Sequence, residues 1–193
     1  MKFSKISKII KDAKRGKMFI LVDDEQRENE GDLIVPASKI TPKLINFMAR
    51  HGRGLICLTI CQKQADKLNL SLINSNTIAR SGTAFTISID AKKGISTGIS
   101  AHDRSKTIKT AIKKNSNPKD FVSPGHIFPI IAKNGGVLVR SGHTEASVDI
   151  CKLSNQGSSA VICEIMNNDG SMAKGKSLFK FSKKHKINIG RID

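Results

Sequence analysis

Tryptophan and tyrosine are both absent from this chain of 193 residues, and its eight phenylalanines are the only aromatics besides histidine. A surface that binds nucleic acid by stacking bases on rings has little to build with. Long apolar runs are also lacking; none approaches the ~20 residues needed to cross a bilayer. The first residues, Met1-Lys2-Phe3-Ser4-Lys5-Ile6, are basic and carry no apolar stretch of the signal-peptide kind. These absences lead to the expectation of a cytoplasmic protein without membrane contact. Cysteine is scarce, at four, and no two form a C-x-x-C pair. Cys57 and Cys61 sit an even distance apart in an apolar, strand-like run. A zinc site or disulfide framework is therefore disfavoured, and reduced, mostly buried thiols are expected there and at Cys151 and Cys163. Acidic residues are few, 16 against 33 Lys and Arg, for a net charge of +17. That balance suits a solvated surface, the steering of an anionic substrate, or a nucleic acid. The lysines are scattered along the chain, which favours the first reading over the second, and both over nucleic acid.

What is present is a regular alternation of patterns. Phe3, Ile6, Ile9, Ile10 and Ala13 recur at helical spacing and predict a helix over 3–15, ended by Gly16. Strands are expected over 18–22 and 33–36, flanking an acidic loop over 23–32. Thr41-Pro42 has the form of an N-cap with proline at the first helical position, opening a helix that stops near Gly52. Further strands are expected over 54–60, 84–90, 127–132, 137–139 and 160–166, with turns at Asn134-Gly135-Gly136 and Asn168-Asp169-Gly170. Helices are expected over 103–115, 143–153 and 176–184. Strands and helices alternate, yet some strands are joined by short turns. The pattern therefore predicts an α/β (α+β) fold, a mixed sheet covered by helices, in one domain over 1–193. No repeat or linker interrupts it.

Four segments carry chemistry. The loop Asp23-Asp24-Glu25-Gln26-Arg27-Glu28-Asn29-Glu30-Gly31-Asp32 holds six of the sixteen acidic residues in ten positions. Clustered carboxylates repel one another. They fit either a solvated loop or a hard cation such as Mg²⁺, whose preferred ligands are carboxylate oxygens and water, and the spacing does not match an EF-hand. In the second segment, Gly135-Gly136-Val137-Leu138-Val139-Arg140-Ser141-Gly142-His143-Thr144-Glu145, a strand runs into a small-residue turn and then a helix. Free N–H groups at the helix start, the Arg140 guanidinium and the Thr144 hydroxyl read as a phosphate cradle. His143 beside it could ligate a metal or simply cap the helix. In the third segment, Ser123-Pro124-Gly125-His126-Ile127-Phe128-Pro129, prolines and a glycine fix the backbone around His126, which suits an acid/base group or a histidine packed in a turn. In the fourth, Glu164 interrupts the apolar run Val161-Ile162-Cys163-Glu164-Ile165-Met166. It must be paired, metal-bound or shifted in pKa, unless its strand faces solvent. Thr97-Gly98-Ile99-Ser100-Ala101-His102-Asp103 and Cys57 give weaker signals.

Taken in order, these segments resemble 3,4-dihydroxy-2-butanone 4-phosphate synthases. The acidic loop is similar to that family's D-D-E-x-R-E-N-E-G-D signature. Arg50-His51-Gly52-x-Gly54-Leu55-Ile56-Cys57, Gly82-Thr83-Ala84-Phe85-Thr86, Thr97-Gly98-Ile99-Ser100, Pro124-Gly125-His126-Ile127-Phe128-Pro129, the Gly142-His143-Thr144-Glu145 turn and Ile162-Cys163-Glu164 resemble its other blocks. The resemblance runs from about residue 16 to the end. It implies a three-layer architecture around a mixed, twisted sheet and a homodimer with sites near the subunit interface. It implies conversion of D-ribulose 5-phosphate to formate and 3,4-dihydroxy-2-butanone 4-phosphate with Mg²⁺ or Mn²⁺, two ions per site. By motif, Glu28 and His143 correspond to the metal ligands. Arg27, Glu28, Asp32, the turn Arg140, Ser141, Gly142, His143 and Thr144, and Glu164 correspond to substrate contacts; His126, Glu164 and Asp32 correspond to the catalytic groups. Gln26 sits at a variable position, and Asn168 replaces a common aspartate. The chain stops at Gly190-Arg191-Ile192-Asp193, before the family's usual short tail, which fits a trimmed chain or the front half of a fusion to GTP cyclohydrolase II. The basic threonylcarbamoyl-adenylate synthases, with a similar fold, stand as the alternative; they require a nucleotide and RNA surface in place of the acidic loop.

Overall fold

A computed structural model describes residues 2–73 and 82–192. Among these, eight strands form one mixed sheet: β1 (Phe19–Val22), β2 (Gly31–Pro36), β3 (Cys57–Cys61), β4 (Ala84–Phe85), β5 (Ile89–Ala91), β6 (Phe121–Ala132), β7 (Ala160–Glu164) and β8 (Ile189–Arg191). The order across the sheet is β4-β6-β3-β7-β2-β1-β8, with β5 also pairing β6. Six helices accompany it: α1 (Ile6–Lys14), α2 (Pro42–Phe47), α3 (Gln62–Lys67), α4 (Ala101–Ala111), α5 (His143–Leu153) and α6 (Lys176–His185).

The three layers follow from strand alternation. In β1 and β2 every residue is buried, so successive side chains must enter two different cores. Phe19, Leu21 and Ile34 join Cys57, Ile130 and Ile162 under Ile9 and Ala13 of α1 and Ala146, Ile150 and Cys151 of α5. Ile20, Val22, Leu33 and Val35 face the other way, against Ile45, Ala65, Ile108, Ala111 and Leu178 from α2, α3, α4 and α6. Thr41 caps α2 through a 3.3 Å bond from the Leu44 N–H, with Pro42 in the first turn, as expected. The helix then widens into a π turn over Met48–Gly52.

Several expectations on secondary structure are corrected. The segment 84–90 is two short strands, not one: Thr86 is buried while Phe85 and Ile87 are half-buried, and the pairing with β6 shifts register between Ile89 and Asp90. Residues 137–139 are not a strand, because Gly135 (φ 94°) and Gly136 (φ 63°) turn the chain into a 3₁₀ turn over Gly136–Leu138. β6 begins before the expected residue 127 and includes His126 among its twelve residues; Pro124 is accommodated because that end of β6 pairs only intermittently with β5. The acidic loop ends at Glu30, since Gly31 and Asp32 already pair with β1. Helix α3 and strand β8 were not foreseen; β8 is short and gains its place by parallel pairing with β1.

Candidate active site

The acidic segment is the connection of the β1–β2 hairpin. Asp23 holds it closed: its main-chain N–H donates to Glu30 O at 3.2 Å, and its Oδ1 accepts the Glu30 N–H at 2.8 Å. Asn29 takes a positive φ of 53° to close the loop, a conformation asparagine tolerates better than most residues. Arg27 donates to both the Asp23 carboxylate and Glu28 Oε2. Lys174 reaches the Glu28 carbonyl at 2.6 Å from the other side. The loop is thus anchored, which a freely solvated charge run is not.

Helix α5 brings the second half of the site. Thr59 Oγ1 and Ser147 Oγ meet at 2.9 Å in the core and fasten α5 to β3. Gly142 precedes the helix and supplies no side-chain cap, so the first N–H groups of α5 stay available to a ligand. His143, in the first turn, is buried. Its Nδ1 lies 3.9 Å from Asp32 Oδ1, and its Nε2 is buried with no hydrogen-bond partner. Burial lowers the His143 pKa, opposed by the Asp23 charge, so the ring is held neutral with a lone pair to offer. One ligand atom each from Asp23, Glu28 and His143 lies within 4.8 Å of the others.

An unpartnered, buried Nε2 on a ring grouped with two carboxylates is the test of whether a cation fits. Carboxylate oxygens with one imidazole nitrogen suit Mg²⁺ or Mn²⁺. The residues present fit the ion.

Strand register supplies the remaining carboxylates. Asp32 on β2 is directly opposite Glu164 on β7, and both point to the α5 side. Burial first, and then the charges of Glu164, Asp23, Glu28 and Glu30, hold the Asp32 carboxyl well above the usual carboxylate range. The same causes, burial leading and Glu28 next, raise Glu30, with Lys174 opposing. Glu164 Oε2 accepts the Leu55 N–H at 2.7 Å. Gly54 makes that approach feasible, since a Cβ there would sit 2.4 Å from the same oxygen.

These groups line a cavity of about 230 Å³ together with Thr83, Phe85, Ile130, Thr144 and Ile162. Of the expected site residues, Arg27, Glu28, Asp32, His143, Thr144 and Glu164 are gathered there. Arg140, Ser141 and Gly142 form the turn beside it and are not among the lining residues. Arg140 binds Glu145 Oε2 at 2.6 Å and Thr83 Oγ1 at 2.9 Å, and the exposed Ser141 points to the Val137 carbonyl. His126 is not in this cavity. It stands two strands from Glu164, on the order of 10 Å away at one strand spacing per step, and its Nδ1 is 2.6 Å from Asp90 Oδ2. Sequence reasoning did not single out Asp23 within the acidic loop and passed over Asp90 altogether. Asp23 had a signal in its place at the hairpin's first turn; Asp90 had none. Cys57 is buried, and burial pushes its thiol pKa well up, so it is not poised as a nucleophile.

Comparison with known proteins shows the family. A sequence model of the family described as 3,4-dihydroxy-2-butanone 4-phosphate synthase matches residues 7–193. A protein of that name from Neisseria meningitidis serogroup A is 51% identical over 189 residues, covering 98% of this chain and 52% of its own length. The riboflavin biosynthesis protein RibBA of Aquifex aeolicus is 51% identical over 190 residues, covering 97% and 47%. The chain thus spans about half the length of the curated relatives it matches. Among solved structures, a 3,4-dihydroxy-2-butanone 4-phosphate synthase in complex with two magnesium ions superposes with a TM-score of 0.93 at 35% identity, covering 98% of this chain and 94% of that one.

Proposed function

Because this chain belongs to the 3,4-dihydroxy-2-butanone 4-phosphate synthase family, we propose that it converts D-ribulose 5-phosphate to formate and L-3,4-dihydroxy-2-butanone 4-phosphate, a lyase step of riboflavin biosynthesis carried by the domain over 1–193. The observation that supports the reading is the convergence of the acidic hairpin and the start of α5. Asp23, Glu28 and His143 come within ligating distance beside a cavity floored by Asp32 and Glu164.

The chemistry follows from what these residues can do. Glu28 and His143, joined by Asp23, would hold Mg²⁺ or Mn²⁺, two ions per site in this reading; the structural relative is a complex with two magnesium ions. When bound, such a cation polarises a carbonyl and stabilises the negative charge of an enediolate. The start of α5, with Thr144 and the turn over Arg140, Ser141 and Gly142, takes the phosphate through N–H groups and the helix dipole. Arg27 neutralises Asp23 and Glu28 and orients them towards the sugar. Asp32, whose carboxyl is held above its ordinary pKa by burial and then by the Glu164 charge, is suited to taking and returning a proton. Glu164 and His126 share that traffic, which enediol formation, loss of water, carbon migration and release of formate all require.

A homodimer with sites near its interface fits the apolar side chains left exposed around this region, namely Leu138 at 94%, Val139 at 62%, Leu55 at 42% and Ile99 at 54%. Among the described residues no helix is long and apolar enough to cross a membrane, in keeping with a cytoplasmic location. Incubation with ribulose 5-phosphate and Mg²⁺ should release one formate per turnover, and chelation should stop it. Formate release indifferent to chelator, or none at all with Mg²⁺, would count against the assignment.

A further inference from the structure

His126 is held by more than its own strand. Asp90, on β5, is buried with a side chain only 7% exposed, while the His126 side chain is 40% exposed. Its Oδ1 accepts the main-chain N–H of His126 at 3.0 Å, and its Oδ2 lies 2.6 Å from Nδ1 of the ring. One carboxylate therefore grips backbone and imidazole together. The next turn of chain is built around this pair. Gly98, at φ 95°, packs so closely that a Cβ would fall 2.1 Å from Asp90 Oδ2 and 2.5 Å from His126 Nδ1. Gly98 is held in turn by Asp103, whose carboxylate accepts from the Gly98 N–H at 3.1 Å and from the Ser96 N–H and hydroxyl. The Ser88 hydroxyl accepts the Gly125 N–H at 3.1 Å just before the histidine.

By strand alternation His126 is on the same side of β6 as Phe128 and Ile130, the side that faces α5 and the cavity. The parallel pairing Cys57↔Phe128 and the antiparallel pairing Cys57↔Ile162 place it in the same crosswise row as Glu164 and Asp32, with Gly54 and Leu55 between. An exposed imidazole in line with two carboxylates, anchored from behind by a third that is buried, has the arrangement of an oriented base.

We infer that Asp90 is a positioning residue for the reaction: it holds Nδ1 of His126 as the protonated nitrogen and turns Nε2 outward as the atom that takes and returns the substrate proton. The inference rests on the reading above in which His126 carries a proton. In each cycle the Nε2 lone pair accepts a proton from the substrate and gives it back to a leaving oxygen or carbon. Nδ1 keeps its own proton throughout, and Asp90 remains a carboxylate. Removing the carboxylate leaves the ring in place but frees it to take the other tautomer and to rotate.

The test uses the full chain with Mg²⁺ and three variants, Asp90→Asn, Asp90→Glu and His126→Ala. Formate release gives kcat and KM, titration calorimetry gives Mg²⁺ affinity, and ¹⁵N-histidine NMR of the neutral ring gives the tautomer. The Asp90→Asn variant should lose kcat by on the order of 100-fold, with KM for ribulose 5-phosphate and Mg²⁺ affinity unchanged and the His126 tautomer shifted. The Asp90→Glu variant should recover part of the rate. Full activity in Asp90→Asn, with His126→Ala inactive, overturns the role of Asp90 alone. Full activity in His126→Ala overturns the reading of His126 and this inference with it. Should Asp90→Asn not fold, the unmodified protein still decides: a neutral His126 protonated at Nε2 overturns the inference, and one protonated at Nδ1 sustains it.

Discussion

Replacing Asp32 with asparagine should stabilise the metal-free protein while abolishing turnover. Asp32 is 3% exposed, faces Glu164 across the β2–β7 pairing, and has Asp23, Glu28 and Glu30 as further negative neighbours. At an effective dielectric near 20, two unit charges roughly 5 Å apart repel by about 3 kcal/mol. Arg27, water and screening remove part of this, and asparagine keeps the shape of the side chain. A net gain of about 1–2 kcal/mol remains, or a rise in Tm of about 4 °C for a chain of this size. Calorimetry in EDTA would measure it. Mg²⁺ should then raise the Tm of the unmodified protein more than that of Asp32→Asn, because the ion relieves a repulsion the variant has already lost. If Asp32→Asn melts at or below the unmodified protein in EDTA, the carboxylates are not in the mutual conflict described here. The energetic argument for a cation site then fails. The opposition of stability and activity is expected wherever like charges are assembled for chemistry.

The other predictions are simpler. Glu28→Gln should abolish Mg²⁺-dependent formate release and weaken Mg²⁺ binding in a calorimetric titration, and retained turnover would refute its role as a ligand. Thr59→Val removes a hydroxyl that meets Ser147 and accepts the Ala160 N–H; leaving these buried groups unpaired should cost about 1–3 kcal/mol in urea denaturation. Hydrogen bonds, first that from the Ser96 hydroxyl, hold the Asp103 pKa below its ordinary value. Its contribution to stability is therefore present above the unfolded-state pKa, near 3.9, and is lost as pH falls through the lower folded-state value. The unfolding midpoint of Asp103→Asn should accordingly show less loss between neutral pH and pH 3 than that of the unmodified protein. Burial pushes the Cys151 thiol up to about 12 and raises Cys57 and Cys163 as well, while Cys61 is half-buried. Iodoacetamide on the native protein should label Cys61 first, as read by peptide mass spectrometry.

Local signals in the sequence were sufficient for elements that stabilise themselves. The Thr41 cap, the bounds of α5 at His143–Leu153 and the hairpin around the acidic loop all depend on residues a few positions apart. They were legible for that reason. The order of motifs was enough to identify the family and to nominate Glu28, His143, Asp32 and Glu164, which the structure brings to one cavity. Pairing across the sheet was not legible in the same way. The extension of β6 to twelve residues, the split of 84–90 into two strands and the short β8 each depend on a partner strand elsewhere in the chain, and propensity does not register such a partner.

By itself, then, the sequence determined which residues could do chemistry here: clustered carboxylates, a histidine after glycine, a glutamate in an apolar strand, and a backbone pattern that puts a sheet between two helical layers. Only the tertiary structure decided which of them meet. The contact of Leu55 with Glu164 closes over 109 residues, and that of His126 with Asp90 over 36. Both depend on strand register, where a slip of one residue would turn each of these side chains to the opposite face of the sheet. Register is set by the packing of two whole cores at once, so no local stretch of sequence contains it.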